Sequence, residues 1–353
     1  LRIIRSWNRA SPLYIFEILK TVAEESPNIV HIQHEYLAYG PRKYSILFPV
    51  LLLLLRLLAK PIVLTMHSVV TRNKLTDDFF FVHQTGRRLA TIKKAIMIVF
   101  TKAIVNLSDA VIVHNDYMRN ALVKDYNIGQ DNIVVIPHGV DAHLTGKNSF
   151  EAKKELGLSQ KQVLLFFGFV IPGKGVEVLI KSFSEVSKKI SNAILVIAGQ
   201  YHPRLLREFP RYLGTIEKLI QDMKLGDRVI FENRFIGDQR LQLYISAADI
   251  VVFPYTDDSI LGASGALATC ASQGKAVIAT RIPRFVSELE NDVNAIILEP
   301  NNESQLVDAI VRVFGNSRLT EKLQRNLCTS ALEKSWDAIS LSTYELYSKI
   351  LRV

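Results

Sequence analysis

Cysteine is scarce: Cys270 and Cys328 are the only two in 353 residues. Two thiols this far apart build neither a disulfide framework nor a paired metal site, which excludes small stapled folds and zinc modules. Their scarcity fits a reducing compartment. Long apolar runs are also missing. The richest, "SILFPVLLLLLRLLA" (Ser45–Ala59), is interrupted by Pro49 and Arg56, and a bilayer span needs roughly twenty apolar residues. It reads as a buried or interface-seeking helix. No signal peptide is visible, because the basic start runs into mixed sequence. The chain opens on Leu1 and not on methionine, so something upstream is expected to have been removed. Acidic residues are short too, 34 against 43 Lys and Arg, for a formal charge of +9. That excess calls for an anionic partner. No zinc finger, RNP motif or basic heptad is present, so nucleic acid is not expected. An acidic lipid surface or a phosphorylated substrate fits instead.

Hydrophobic residues make up 48% and charged ones 22%, the balance of a folded globular protein. The length suffices for two domains, each with its own core. Short apolar runs alternate with amphipathic stretches throughout. Strands are expected at Ile29–Gln33, Pro61–Met66, Ala110–His114, Ile133–Pro137, Gln162–Phe167, Ala193–Gly199, Val229–Glu232, Ile250–Phe253, Ala276–Thr280 and Ala295–Leu298. Helices are expected between them, as at Arg87–Leu107, Val176–Ser191, Leu213–Met223 and Glu303–Phe314. Such alternation means βαβ units and parallel sheets. The polar stretch His143–Ser149 divides two series of this kind. The expectation is two doubly wound α/β domains, residues 1–142 and 143–335, facing a cleft. A last helix, residues 336–353, is free to pack back on the first domain.

One short segment carries chemistry. "GFVIPGKG" (Gly168–Gly175) follows an apolar run and precedes a helical pattern. Strand, glycine-flanked loop with one lysine, then helix is a phosphate-holding arrangement. It is not a working P-loop. Gly175 stands where a magnesium-binding hydroxyl belongs, and Phe169, Val170, Ile171 and Pro172 are bulky or stiff. By itself the loop is equally an ordinary βα turn with a solvated lysine.

The loop, "VIPHGVD" (Val135–Asp141), "ADIVVFPY" (Ala248–Tyr255) and "SGALATCASQGKAVIAT" (Ser264–Thr280) follow one another in a telling order. Together they resemble the GT-B glycosyltransferases of family 4, which use nucleotide-sugar donors and retain anomeric configuration. "IVHIQHEYLAYG" (Ile29–Gly40) resembles the "QHE" segment of one branch. The resemblance spans nearly the whole chain. The family's opening strand, glycine-rich loop and helix have no counterpart, so the first strands of the N-terminal domain are expected to be missing.

The resemblance implies roles. Lys174, beside Gly173, matches the lysine that contacts the donor diphosphate. Ser264 and Gly265 match the loop–helix junction under that diphosphate, although Ser264 is also a good helix cap. Phe169 stands where relatives carry an arginine; Arg234 is a substitute cation or a plain surface residue. Leu261 and Thr269 hold the places of two family glutamates, for sugar and ribose, and Thr269 keeps a hydroxyl for a nucleoside contact. His67 matches the histidine facing the reacting sugar. Of His34 and Glu35, neighbours on an extended segment, at most one faces the cleft; Glu35 either orients an acceptor hydroxyl or holds backbone. His138 reads as a turn residue. Asp257 and Asp258 are adjacent, not spaced as metal ligands, and no metal site is expected.

The expected activity is retaining, metal-independent transfer of a hexose from a nucleotide-diphosphate sugar to a hydroxyl acceptor, a glycan or a lipid-linked one. No cofactor beyond that donor is implied. The basic, apolar stretch Gly86–Leu107 suggests an anionic membrane surface as partner and a cytoplasmic, peripheral location. Two alternatives remain: a catalytically silent GT-B subunit that binds nucleotide or sugar, and a nucleotide-sugar epimerase on the same fold.

Overall fold

A computed structural model describes residues 2–36, 38–82, 89–142, 147–203, 205, 209–257 and 259–352. The chain forms two compact units. The first comprises Leu1–Pro137, Ser259–Ala263 and Ile339–Val353, the second His138–Asp258 and Ser264–Ala338.

The first unit contributes β1 (Val30–His34), β2 (Ile62–Met66), β3 (Ser68–Val70), β4 (Ala110–Val113) and β5 (Ile133–Val135). The second follows with β6 (Gln162–Phe167), β7 (Ala193–Ala198), β8 (Val229–Glu232) and β9 (Ile250–Phe253). Next comes β10 (Ile260–Gly262), which belongs to the first unit, and the second unit resumes with β11 (Ala276–Thr280) and β12 (Ile296–Leu298).

In the first unit β1, β2, β4 and β5 make one parallel sheet in that order, with Val30 opposite Ile62, Val63 opposite Ala110 and Val111 opposite Ile133. The inner strands β2 and β4 are buried along their whole length, so apart from Thr65 they read as apolar runs. The edge strand β1 alternates: Ile32 and His34 are buried, while Gln33 is exposed. One face of the sheet is covered by the helix Phe48–Leu57, which buries Phe48, Leu51, Leu52 and Leu55. Val50, Leu53 and Leu57 of the same helix stay exposed, so it is half core and half surface. The other face, at Val63, Ala110, Ile112 and Ile136, takes Ile339, Leu346, Tyr347 and Ile350 of the helix Trp336–Leu351.

The antiparallel pair β3–β10, with Leu261 opposite Val69, escaped sequence reading. Each strand has only three residues, too few for a period to show.

The second unit carries six parallel strands in the order β12-β11-β9-β6-β7-β8. Starting from β6, the chain winds outward through β7 and β8, then restarts on the other side with β9. That reversal leaves a crevice beyond the carboxyl ends of β6 and β9, where doubly wound sheets bind ligands. The helix Val176–Lys189 closes the first crossover and buries Val176, Leu179, Ile180, Phe183 and Val186, one stripe at helical spacing.

Candidate functional site: a cation at the strand reversal and a histidine chain

The loop Gly168–Gly175 leaves β6 and meets the loop after β9 at the reversal. Thr256 N–H donates to Gly173 O at 2.9 Å. Gly175 has φ of 70°, and a Cβ there would lie 1.8 Å from Pro254 O. Only glycine permits both the left-handed turn and this approach. The turn delivers Lys174 over the ring of Tyr255, with Nζ 3.6 Å from the centroid. Tyr255 is itself buried against Phe285. Burial pushes its hydroxyl well above the ordinary value, so the ring remains a neutral wall. A cation on an aromatic face is attracted by the ring quadrupole and keeps its direction. Lys174 is therefore half-buried at the strand reversal, its ammonium held over the Tyr255 ring.

Arg234 is not an independent cation. Its Nε donates to Glu232 Oε2 at 2.6 Å, and Glu232 Oε1 accepts from Arg240 Nη2 at 3.0 Å and from the Tyr244 hydroxyl. Burial opposes ionisation of Glu232, but the Tyr244 hydroxyl and both guanidiniums outweigh it and hold the carboxyl below its ordinary value. Two arginines around one carboxylate leave one net positive charge near the end of β8.

Ser264 caps the helix Gly265–Ala271: it is buried, and its Oγ accepts from Leu267 N–H at 3.2 Å. Gly265 is exposed. Thr269 directs its hydroxyl hydrogen to Gly265 O at 2.7 Å, which leaves the oxygen able only to accept. Leu261 is in the first unit's core, paired across from Val69. That packing calls for an apolar side chain at this position.

In the first unit, Glu35 is exposed and tied locally: Oε1 accepts from Ser68 Oγ at 2.5 Å and from Tyr36 N–H at 3.0 Å. His34 is buried among Phe48, Tyr36 and Phe100. His67 follows β2. Its Nε2 lies 2.8 Å from Gln33 Oε1, and its Nδ1 lies 3.0 Å from His114 Nε2. Sequence reading did not single out Gln33 or His114. The register was the missing signal: with Thr65 opposite Ile112, the residues two further on, His67 and His114, fall side by side. His138 sits elsewhere, its Nδ1 on Gly139 O at 2.8 Å and its ring against Trp336. Asp258, Arg87 and Arg88 lie outside the described residues. Among the described residues, no three His, Cys, Asp or Glu side chains are grouped so as to hold a metal ion.

Residues 161–316 match the family model for glycosyl transferases group 1, and residues 2–144 match that for glycosyltransferase family 4. Alpha-D-kanosaminyltransferase of Streptomyces kanamyceticus is 24% identical over 178 residues, 50% of this chain and 42% of the relative. D-inositol 3-phosphate glycosyltransferase of a Nocardioides strain is 23% identical over 299 residues, 80% of this chain and 61% of the relative. The chain thus spans less than two thirds of either relative's length. Among solved structures, sucrose-phosphate synthase from Thermosynechococcus elongatus has a TM-score of 0.74 at 21% identity, covering 97% of this chain and 78% of that one. Anabaena HepE, solved in complex with UDP, has a TM-score of 0.74 at 15% identity, covering 97% and 85%. At these identities the likeness is one of fold.

Proposed function

The chain belongs to the GT-B glycosyltransferases of family 4, and from that premise we propose that it transfers a hexose from a nucleotide-diphosphate sugar to a hydroxyl acceptor with retention. The observation that carries this reading is Lys174, fixed by Tyr255 at the strand reversal of the second unit. A positioned ammonium stabilises the charge that develops on a departing diphosphate. The net charge of the Arg234, Arg240 and Glu232 group adds to it, and these cations do the work a metal would do. Ser264 and Gly265 contribute backbone to the same diphosphate, and Thr269 accepts from a nucleoside hydroxyl. UDP-sugars are the first donors to test, since HepE was also solved with UDP-glucose.

In the transfer, the acceptor oxygen bonds to the anomeric carbon as the bond from that carbon to the diphosphate breaks. The acceptor proton passes to the leaving diphosphate oxygen, so no enzyme nucleophile is required. His67 meets a hydroxyl of the transferred sugar, and Glu35 helps orient the acceptor. Exclusion of water favours transfer over donor hydrolysis.

The acceptor is a glycan or a lipid-linked molecule, and the chain works in the cytoplasm on an anionic membrane surface. Supporting this, Ile92, Ile96 and Val99 of the helix Ala90–Asn106 are exposed beside Lys93 and Lys94. Among the described residues, no helix is long and apolar enough to cross a membrane. Co-sedimentation with phosphatidylserine vesicles at low salt is expected and should fade at high salt. A folded protein that ignores such vesicles at low salt removes the membrane from the account.

A second reading, a silent nucleotide-binding subunit, is favoured by Leu261 in the core and by the ion pairing of Arg234. Incubation with UDP-sugars and a panel of hydroxyl acceptors separates the two. Binding without transfer or hydrolysis supports the silent subunit.

A further inference from the structure

Across the first unit's sheet a chain of hydrogen bonds runs from a helix to a backbone carbonyl. The Tyr347 hydroxyl meets His31 Nδ1. His31 Nε2 lies 2.7 Å from Thr65 Oγ1 and 3.2 Å from the Gln33 carboxamide. That carboxamide lies 2.8 Å from His67 Nε2, His67 Nδ1 lies 3.0 Å from His114 Nε2, and His114 Nδ1 lies 3.1 Å from Ile136 O. The last contact decides the rest. A carbonyl can only accept, so His114 carries its hydrogen on Nδ1.

In a neutral imidazole the second nitrogen is then a bare lone pair. His114 Nε2 therefore accepts, and His67 donates to it from Nδ1. His67 Nε2 is left as a lone pair in its turn. As placed, the Gln33 carboxamide has its oxygen at His67 and its amino group at His31. The neutral network requires it to be turned end for end, with its amino group at His67 and its oxygen at a His31 Nε2–H, an exchange of two atoms of nearly equal size. An imidazolium at His114 would donate from both nitrogens and impose the opposite order, with Nε2–H on His67. Burial and the nearby His67 lower the pKa of His31, which places the neutral form at that end of the chain.

We propose that His114, anchored on Ile136 O, is a positioning residue that fixes His67 in the Nδ1–H tautomer and so presents His67 Nε2 to a substrate hydroxyl as a hydrogen-bond acceptor. The inference rests on the reading of His67 as a group that touches substrate. A sugar or acceptor hydroxyl replaces the Gln33 amino group on that lone pair, one donor for another. The arrangement selects a ligand that donates at this point and rejects one whose hydroxyl is replaced by an ether oxygen, because two lone pairs would then oppose each other.

The test is long-range proton–nitrogen correlation NMR on the full chain with 15N-labelled histidine at pH 8, above the ordinary imidazole value of about 6.5. His67 is expected as the Nδ1–H tautomer in the parent and in His114→Gln, whose carboxamide oxygen supplies an acceptor. In His114→Phe it is expected to move toward Nε2–H. Nε2–H or imidazolium in the parent overturns the proposal, and so does a tautomer unmoved in His114→Phe. Kinetics give the second arm: kcat should fall about 10- to 100-fold in His114→Phe, with KM little changed and His114→Gln close to parent. Unchanged kcat in an active His114→Phe protein overturns the functional half. The spectrum needs no turnover, so a parent with the expected tautomer but no transfer counts against the proposed activity and not against the positioning.

Discussion

His34 should make the first unit labile to acid, by an amount that follows from its surroundings. It ends β1 at 3% exposure, with its ring 4.8 Å from that of Phe48. Its buried Nδ1 has no hydrogen-bond partner among the described residues. Burial, and then the nearby His67, lower its pKa from 6.5 to about 4. Above pH 6.5 the imidazole is neutral whether folded or unfolded and adds nothing. Between pH 6.5 and 4 the unfolded chain takes up a proton that the folded one refuses, so stability falls toward acid. At about 1.4 kcal/mol per pH unit, the loss from this residue reaches about 2.5 kcal/mol by pH 4.5. His34→Phe removes the titration and keeps the ring shape. The chain has two tryptophans, Trp7 in the first unit and Trp336 in the second. Urea unfolding can therefore be followed at Trp7, with Trp336 replaced by Phe in parent and variant alike. The stability difference should shift in favour of the variant by about 2–3 kcal/mol between pH 7.5 and pH 4.5. Parallel pH profiles for the two proteins would refute the reasoning.

Two further substitutions probe other parts of the account. Gly175→Ala places a methyl group against Pro254 O and strains a φ of 70°; it should cost about 2–4 kcal/mol in thermal unfolding of the second unit and weaken UDP binding by calorimetry. A variant with parent-like stability and affinity would show that the turn needs no glycine. Leu261→Glu introduces the carboxylate that the family resemblance implies for this position, but Leu261 is 5% exposed in the first unit's core. It should destabilise by about 3 kcal/mol or more and bring no gain in sugar affinity, whereas tighter donor binding by a folded variant would return Leu261 to the sugar site.

Much of this was legible in the sequence because parallel strands buried on both faces must be continuous apolar runs. β7 reads "AILVIA", and every residue in it is buried. The glycine-flanked loop with Lys174 was legible for a related reason, since a close backbone approach excludes every other residue at Gly175. What could not be read depends on contacts between distant segments. Leu261 gives no local hint that five residues, Ser259–Ala263, leave the second unit and pair β10 with β3. The pairing of both Arg234 and Arg240 with Glu232 likewise needs the turn after β8 and the following helix in place. His114 was overlooked because strand order and register, not spacing along the chain, make it a neighbour of His67.

If Lys174 holds a nucleotide diphosphate, isothermal titration of parent and Lys174→Ala with UDP and with uridine will show it. A charge-assisted contact of about 1.5–3 kcal/mol predicts UDP affinity weaker by about 10- to 150-fold in the variant. Uridine affinity should be the same for both proteins, and EDTA should leave the parent's UDP affinity unchanged. Equal UDP affinity in parent and variant, both folded, would contradict the account.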